Sequence, residues 1–229
     1  MTALVLTERD RELLAFLAVH RACTADLLAE RFFSKNPFTG APNTKPDKAL
    51  ERRLTALRRH GHVSLSRVRC DDGRVRAFVR PAAAADPLLG DRASRRAVPR
   101  SGRSHHVRTL EAVRAVEELV QQRGDRFVSF QVEAAYRADR QRGRRTRNGD
   151  GFESFPDAVC TIAVRGPAGS WRVVLVAVEY VTSKYTDADI AVKRASFART
   201  FDDALWFADR PRTAERVQAI TGGTCAVLP

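Results

Sequence analysis

Three carboxylates occupy positions where a side-chain charge is expensive. Glu133 falls inside an alternating stretch at 127–136, Asp157 follows Pro156 at the mouth of an apolar segment at 158–164, and Glu179 closes the run VVLVAV at 173–178. A carboxylate in a strand is costly to bury unless a cation or a hydrogen-bond network holds it. Side by side on adjacent strands, the three would form a divalent-metal site.

Other chemistries find less support. Ser, Cys and His form no arrangement for nucleophilic catalysis, and neither a Walker A loop nor a GxGxxG run is present, so no nucleotide cofactor is expected. Cys23, Cys70, Cys160 and Cys225 make no CxxC pair and read as reduced core thiols. His105 and His106 are adjacent, and neighbours on a helix point about 100° apart and rarely share a ligand. A helix-start phosphate contact or plain surface is the reading their spacing favours. His60 and His62 flank Gly61, where an imidazole complements the last carbonyls of a helix. Trp171 and Trp206 are expected in the core.

The elements that must position these residues follow from periodicity. Beyond residue 105 the pattern predicts a helix over 107–122, strands at 127–136, 158–164 and 173–181, a helix over 187–201, a strand at 204–207, a helix near 213–220 and a strand at 226–228. That order predicts an α/β sheet of mixed direction. Residues 137–147, with six arginines and one aspartate, are expected as an exposed loop.

The first half has a different grammar. Thr7-Glu8-Arg9-Asp10 forms a capping box that opens a helix over 7–21, and Thr24 caps a short second helix through Leu27, Leu28 and Phe32. Residues 34–46, with three prolines and Gly40, make a connection, and a third helix runs over 47–60 to stop at Gly61. On its wheel Leu50, Leu54 and Leu57 fall on one face and Lys48, Arg52, Thr55 and Arg59 on the other. Val63, Leu65 and Val68 lead to the turn Asp71-Asp72-Gly73, and Val75, Ala77 and Val79 then alternate with Arg74, Arg76 and Arg80. With Arg67 and Arg69 this makes a hairpin with a cationic rim. Three helices and a basic hairpin predict a winged helix-turn-helix, its third helix in the major groove and its wing along phosphates.

Composition sets the frame. In 229 residues, 44% hydrophobic and 29% charged, there is room for two small folded domains. The apolar run at 173–178 falls far short of the ~20 residues of a membrane span. Glu8 and Asp10 interrupt any secretory h-region, so a cytoplasmic protein is expected. The net charge of +13 is uneven: residues 1–110 hold 22 basic and 11 acidic side chains, residues 111–229 hold 18 and 16. Only five of the 40 basic residues are lysines, as a GC-rich coding sequence would produce, but the concentration of charge in the first half points to a polyanion, double-stranded DNA first. The expected class is α+β in two domains: a winged helix-turn-helix at 1–80, a basic linker at 81–104 and an α/β domain at 105–229.

A Pro-Asp followed by a Glu at the end of the next strand resembles the PD-(D/E)XK nuclease-like fold. That resemblance implies that Asp157 and Glu179 hold Mg2+ while a lysine two residues after the Glu supports the attacking water. Position 181 is valine, so Lys184 or Lys193 would have to substitute. LTERDRELLAFLAVHRACT at 6–24, RRLTALRRHGHV at 52–63, a His at 105 or 106, Glu133, PDA at 156–158, VE at 178–179 and Lys193 together resemble the replication-relaxation family of plasmids and other mobile elements. The resemblance implies a winged-helix protein acting on DNA in plasmid replication or transfer.

Three classes of function remain in play. The first is a sequence-specific double-stranded DNA-binding protein whose C-terminal domain has lost or never needed cleavage. The second is a metal-dependent endonuclease using Glu133, Asp157, Glu179 and Lys184 or Lys193, with Mg2+ or Mn2+ as its cofactor. The third is an RNA-binding or protein-interaction module. A homodimer on a palindrome is open to the first class, although no leucine seam specifies it.

Overall fold

Thr7 accepts the Asp10 N–H, and the Asp10 carboxylate accepts the Thr7 N–H in return; this reciprocal cap starts α1 (Glu8–His20). The computed structural model of the protein describes residues 4–35, 39–70, 73–82, 85, 98, 102–133, 135–136, 154–166 and 169–228. The chain divides into two units of mixed α+β character, residues 1–104 and 105–229.

In the first unit α1 leads through β1 (Cys23–Thr24) into α2 (Ala25–Phe33), whose Leu27 N–H is capped by Thr24 Oγ1 at 3.4 Å. Next come α3 (Pro46–Arg59), with proline in its first turn, and the antiparallel hairpin β2 (Val63–Arg69) and β3 (Val75–Pro81). Gly61 leaves α3 in the left-handed region at φ +73°, where a side chain would be strained. The β1 strand pairs with the free edge of β3, so the sheet order is β1-β3-β2. Leu13, Leu14, Leu17, Leu28, Leu50, Leu57 and Phe78 are its fully buried centre.

The hairpin departs from the expected split into apolar and cationic faces. Val75 is 60% exposed, whereas Arg76, opposite Val68 in the register, is half-buried and lies 3.7 Å from Asp26 of α2. Most of the expected linker at 81–104 and the whole expected loop at 137–147 lie outside the described residues.

The second unit opens with α4 (Arg103–Gln122). The antiparallel strands β4 (Arg126–Val132), β5 (Ala158–Arg165) and β6 (Trp171–Val181) follow. Then α5 (Asp187–Thr200), β7 (Asp203–Ala208), α6 (Pro211–Thr221) and β8 (Cys225–Val227) complete a five-stranded sheet in chain order. The last two strands run parallel to β6, because each helix carries the chain back to the start of the sheet. Leu119 and Val120 of α4 lie over Ile162, Val174 and Val176 on one face. On the other, Ile190 and Phe197 of α5 and Ala214 and Val217 of α6 pack with Ala177, Val181, Trp206 and Ala208.

Two expectations are corrected here. The strand expected over 127–136 ends at Val132, and Glu133 enters a helical turn. Trp206 is buried as expected, but Trp171 is 41% exposed, with the Arg126 guanidinium 4.4 Å from its ring centre. The four cysteines are free and buried. Among the described residues, no helix is long and apolar enough to cross a membrane.

Candidate functional site

Along β6 successive side chains point to opposite layers, and this alternation builds the site. Tyr180 faces α4: its hydroxyl lies 3.4 Å from Arg108 Nε and its ring 5.6 Å from that of His105. Glu179 faces α5, where Lys193 Nζ reaches Oε1 at 2.6 Å. Lys193 belongs to the inward stripe of α5, between Ile190 and Phe197 at spacings of three and four, and its stem runs over buried surface. Its ammonium also donates to the Phe155 carbonyl at 3.3 Å and lies 5.6 Å from the centre of the Tyr185 ring.

Register brings in the second carboxylate. Ala158 pairs with Val178, so Asp157 falls opposite Glu179 just beyond the last pair of the ladder. The Asp157 N–H donates to Glu179 Oε2 at 3.2 Å, and the Tyr180 N–H donates to Asp157 Oδ2 at 2.8 Å. Asp157 Oδ1 meets His105 Nε2 at 2.8 Å, and the Tyr185 hydroxyl donates to Glu179 Oε1 at 3.2 Å. The strand backbone itself thus orients both carboxylates, with one basic side chain, His105 or Lys193, approaching from each helical layer.

Burial dominates the electrostatics. Glu179 is fully buried; desolvation, then the Asp157 charge, push its pKa up to about 8 against the pull of Lys193 and His105. Burial pulls His105 down, but its hydrogen bond to Asp157 and the charges of Asp157 and Glu179 outweigh it, and its pKa ends above the ordinary value. Tyr185 is driven far up by burial and by the two carboxylates, so its hydroxyl stays protonated and serves as a donor.

The donor set suits a hard divalent cation in kind. Asp157 Oδ1, Asp157 Oδ2 and Glu179 Oε2 each accept one protein hydrogen bond and keep one lone pair, whereas Glu179 Oε1 has two donors already. Asp157 and Glu179 could therefore hold Mg2+ or Mn2+ on their remaining lone pairs, with Lys193 as the adjacent cation. Among the described residues, no cluster of three or more His, Cys, Asp or Glu side chains adds further ligands.

The other expected site residues divide. Glu133 is half-buried and joins through its backbone, its N–H donating to the Asp157 carbonyl at 2.7 Å, while its charge is felt at Tyr185. Lys184 is exposed in the turn after β6, and the lysine at Glu179 is Lys193. His105, expected at a phosphate or on the surface, binds Asp157 instead. A signal for it existed: it lies three and seven residues before the buried Arg108 and Ala112, on the inward face of α4. Tyr185 had no such signal in the sequence.

In the first unit Lys48, Arg52, Thr55 and Arg59 are exposed along α3, opposite the buried Leu50, Leu54 and Leu57. Arg67, Arg69 and Arg74 are exposed on the hairpin, while Arg76 turns back toward Asp26. Arg53 leaves the exposed row of α3: its Nε donates to Asp10 Oδ1 at 2.6 Å and its Nη2 to Oδ2. Compared with family models, curated proteins and solved structures, the chain matches none of them.

Proposed function

We propose that the protein binds double-stranded DNA sequence-specifically through its first unit, as a winged helix-turn-helix protein of a plasmid or other mobile genetic element acting in replication, transfer or their transcriptional control. The observation that carries this reading is the order β1-β3-β2 closing on three helices, with Lys48, Arg52 and Arg59 exposed beside Thr55 on the outer face of the third. A winged helix has that connectivity, and its third helix enters the major groove while the hairpin follows the backbone. Lys48, Arg52 and Arg59 would then meet base edges and phosphates, and Arg67, Arg69 and Arg74 phosphates alone. The link to mobile elements rests on the motif resemblance. The test is a gel-shift titration with Arg52→Glu/Arg59→Glu: duplex affinity falls by at least about a hundredfold at unchanged Tm, and unchanged affinity refutes the reading.

A second reading is favoured by the meeting of Asp157, Glu179 and Lys193: a PD-(D/E)XK-type endonuclease whose lysine comes from the following helix. A bound Mg2+ or Mn2+ would lower the pKa of water and neutralise charge on a scissile phosphate. The protein's own groups divide the remaining work. Asp157 and Glu179 would hold the cation, Lys193 would add positive charge next to Glu179, and His105 would orient Asp157. Incubating supercoiled DNA with Mn2+, the protein and an Asp157→Ala control tests this: nicking by the native protein alone supports cleavage, and no nicking leaves a DNA-binding protein with a silent nuclease-like scaffold.

A further inference from the structure

A second cationic feature lies in the second unit. The turn after β6 and the start of α6 border an open cleft of about 500 Å³, lined by Ser183, Arg210, Arg212, Thr213, Glu215 and Arg216. Three guanidiniums face it against one lining carboxylate, Glu215. Two of them are positioned by the fold. Arg210 is held by Asp209 and donates from Nη2 to Ser183 Oγ at 3.2 Å, and Arg216 donates from Nη2 to the Tyr185 carbonyl at 2.7 Å with Asp187 3.5 Å from its Nε. Arg212 is exposed and has no hydrogen bond or ion pair among the described residues. The N-cap residue of α6, Arg210, makes no side-chain cap, and Pro211 follows it.

We infer that this cleft binds a phosphate group, with Arg212 as its mobile clamp, Arg210 and Arg216 as pre-oriented donors, and the Ser183 hydroxyl as an additional donor. Arginine forks match the oxygens of a phosphate in pairs; Asp209 engages Arg210 and accepts the Ser183 N–H, and Asp187 approaches Arg216, which leaves Arg212 as the guanidinium that no acid engages among the described residues. The cleft is joined to the carboxylate pair by the chain itself, since Tyr185 touches Glu179 with its hydroxyl and Arg216 with its carbonyl. The site stands whether or not those carboxylates cleave, and it gives the second unit a DNA contact of its own.

The test uses the full chain in the Arg52→Glu/Arg59→Glu background, which disables α3, and reads anisotropy of a labelled 12-residue single-stranded DNA over a range of salt. Residual binding is expected there. Adding Arg212→Glu lowers it by about tenfold and flattens the slope of log affinity against log salt by about 0.7, the loss of one single-strand phosphate contact, while Arg212→Lys retains most of it. An acid in the first turn of α6 favours the helix, so unfolding would not explain the loss. Competition with inorganic phosphate identifies the source: displacement at matched phosphate concentration assigns the cleft to a free phosphate group, and displacement only far above it assigns it to a polymer backbone. Absence of residual binding, or residual binding that Arg212→Glu leaves unchanged, overturns the inference. If instead the α3 variant keeps full duplex affinity in the gel shift and Arg212→Glu still lowers single-strand binding, the winged-helix reading fails and the cleft survives.

Discussion

Each unit buries a carboxylate against a cationic side chain, and the two pairs have opposite electrostatics. Asp10, 1% exposed, is desolvated, yet the Arg53 fork, the Thr7 hydroxyl and the Thr7 N–H together hold its pKa below the ordinary value of 3.8. Glu179, also buried, has a lysine, a tyrosine and a backbone N–H, yet its pKa rises to about 8. The difference is the neighbour. Asp10 has donors on every side, whereas Glu179 faces a second carboxylate, Asp157, across the ladder. A buried carboxylate surrounded by donors anchors a fold; two that face each other store repulsion, and such sites are where function concentrates.

The sharpest way to break this comparison is to remove the two cations in turn. Lys193→Met leaves Glu179 and Asp157 with less compensation, and the second unit should lose about 3 kcal/mol at pH 9. At pH 6 the loss should be less than about half of that, because Glu179 is protonated there. Both tryptophans lie in the second unit, so denaturant titration followed by fluorescence measures it directly. An equal cost at both pH values would contradict the raised pKa of Glu179.

Arg53→Met should cost the first unit about 2 kcal/mol at neutral pH, less because Thr7 still serves Asp10. This cost should vanish in acid, where Asp10 is protonated. Amide exchange of α1 is the measurement, and a cost that persists unchanged in acid would show that Arg53 acts through packing rather than charge.

In the native protein the two units should answer pH with opposite signs. Asp10, depressed in the folded state, contributes stability that is present above its unfolded pKa of 3.8 and lost as pH falls through its folded pKa. Glu179 and His105 are raised, so the folded second unit binds more protons than the unfolded chain. For Glu179 the associated stability is present below 4.5 and is lost as pH rises toward about 8; for His105 it is present below 6.5 and is lost as pH rises through its folded pKa. Tryptophan-monitored midpoints should thus decline from pH 5 to 8 while α1 exchange stays flat; parallel behaviour of the two units would sink the contrast.

The smallest expected effect separates two arginines of the hairpin. Arg74→Ala should flatten the salt dependence of duplex binding by about 0.9, one phosphate, and Arg76→Ala, turned toward Asp26, by less than about half of that. Equal slopes would mean that Arg76 leaves Asp26 when DNA binds.

Local grammar was legible where it is written in neighbouring residues. The reciprocal cap at Thr7 and Asp10, the stop at Gly61 and the leucine face of α3 depend on contacts within one turn, and each stands in the sequence. The order of helices and strands in the second unit was equally readable, since burial of one face leaves periods of two and 3.6. Glu133 was misread because an alternating pattern continues past Val132 where the chain turns helical. Arg76 was misread because strand alternation gives two faces without saying which one α2 will cover.

By itself the sequence determined the elements, the asymmetry of charge and the two acids at the ends of neighbouring strands, because these depend on residues close together in the chain. Only the tertiary structure decided that Lys193 rather than Lys184 meets Glu179, that His105 meets Asp157 and that Tyr185 closes the ring. Lys184 is the nearer lysine in sequence, five residues from Glu179, but it lies in a turn that points to solvent. Lys193 is fourteen residues away, yet α5 folds back over β6 and delivers it. Reach across a layer depends on how helices stack on a sheet, and stacking is set by the whole apolar face at once, so no local pattern of residues encodes it.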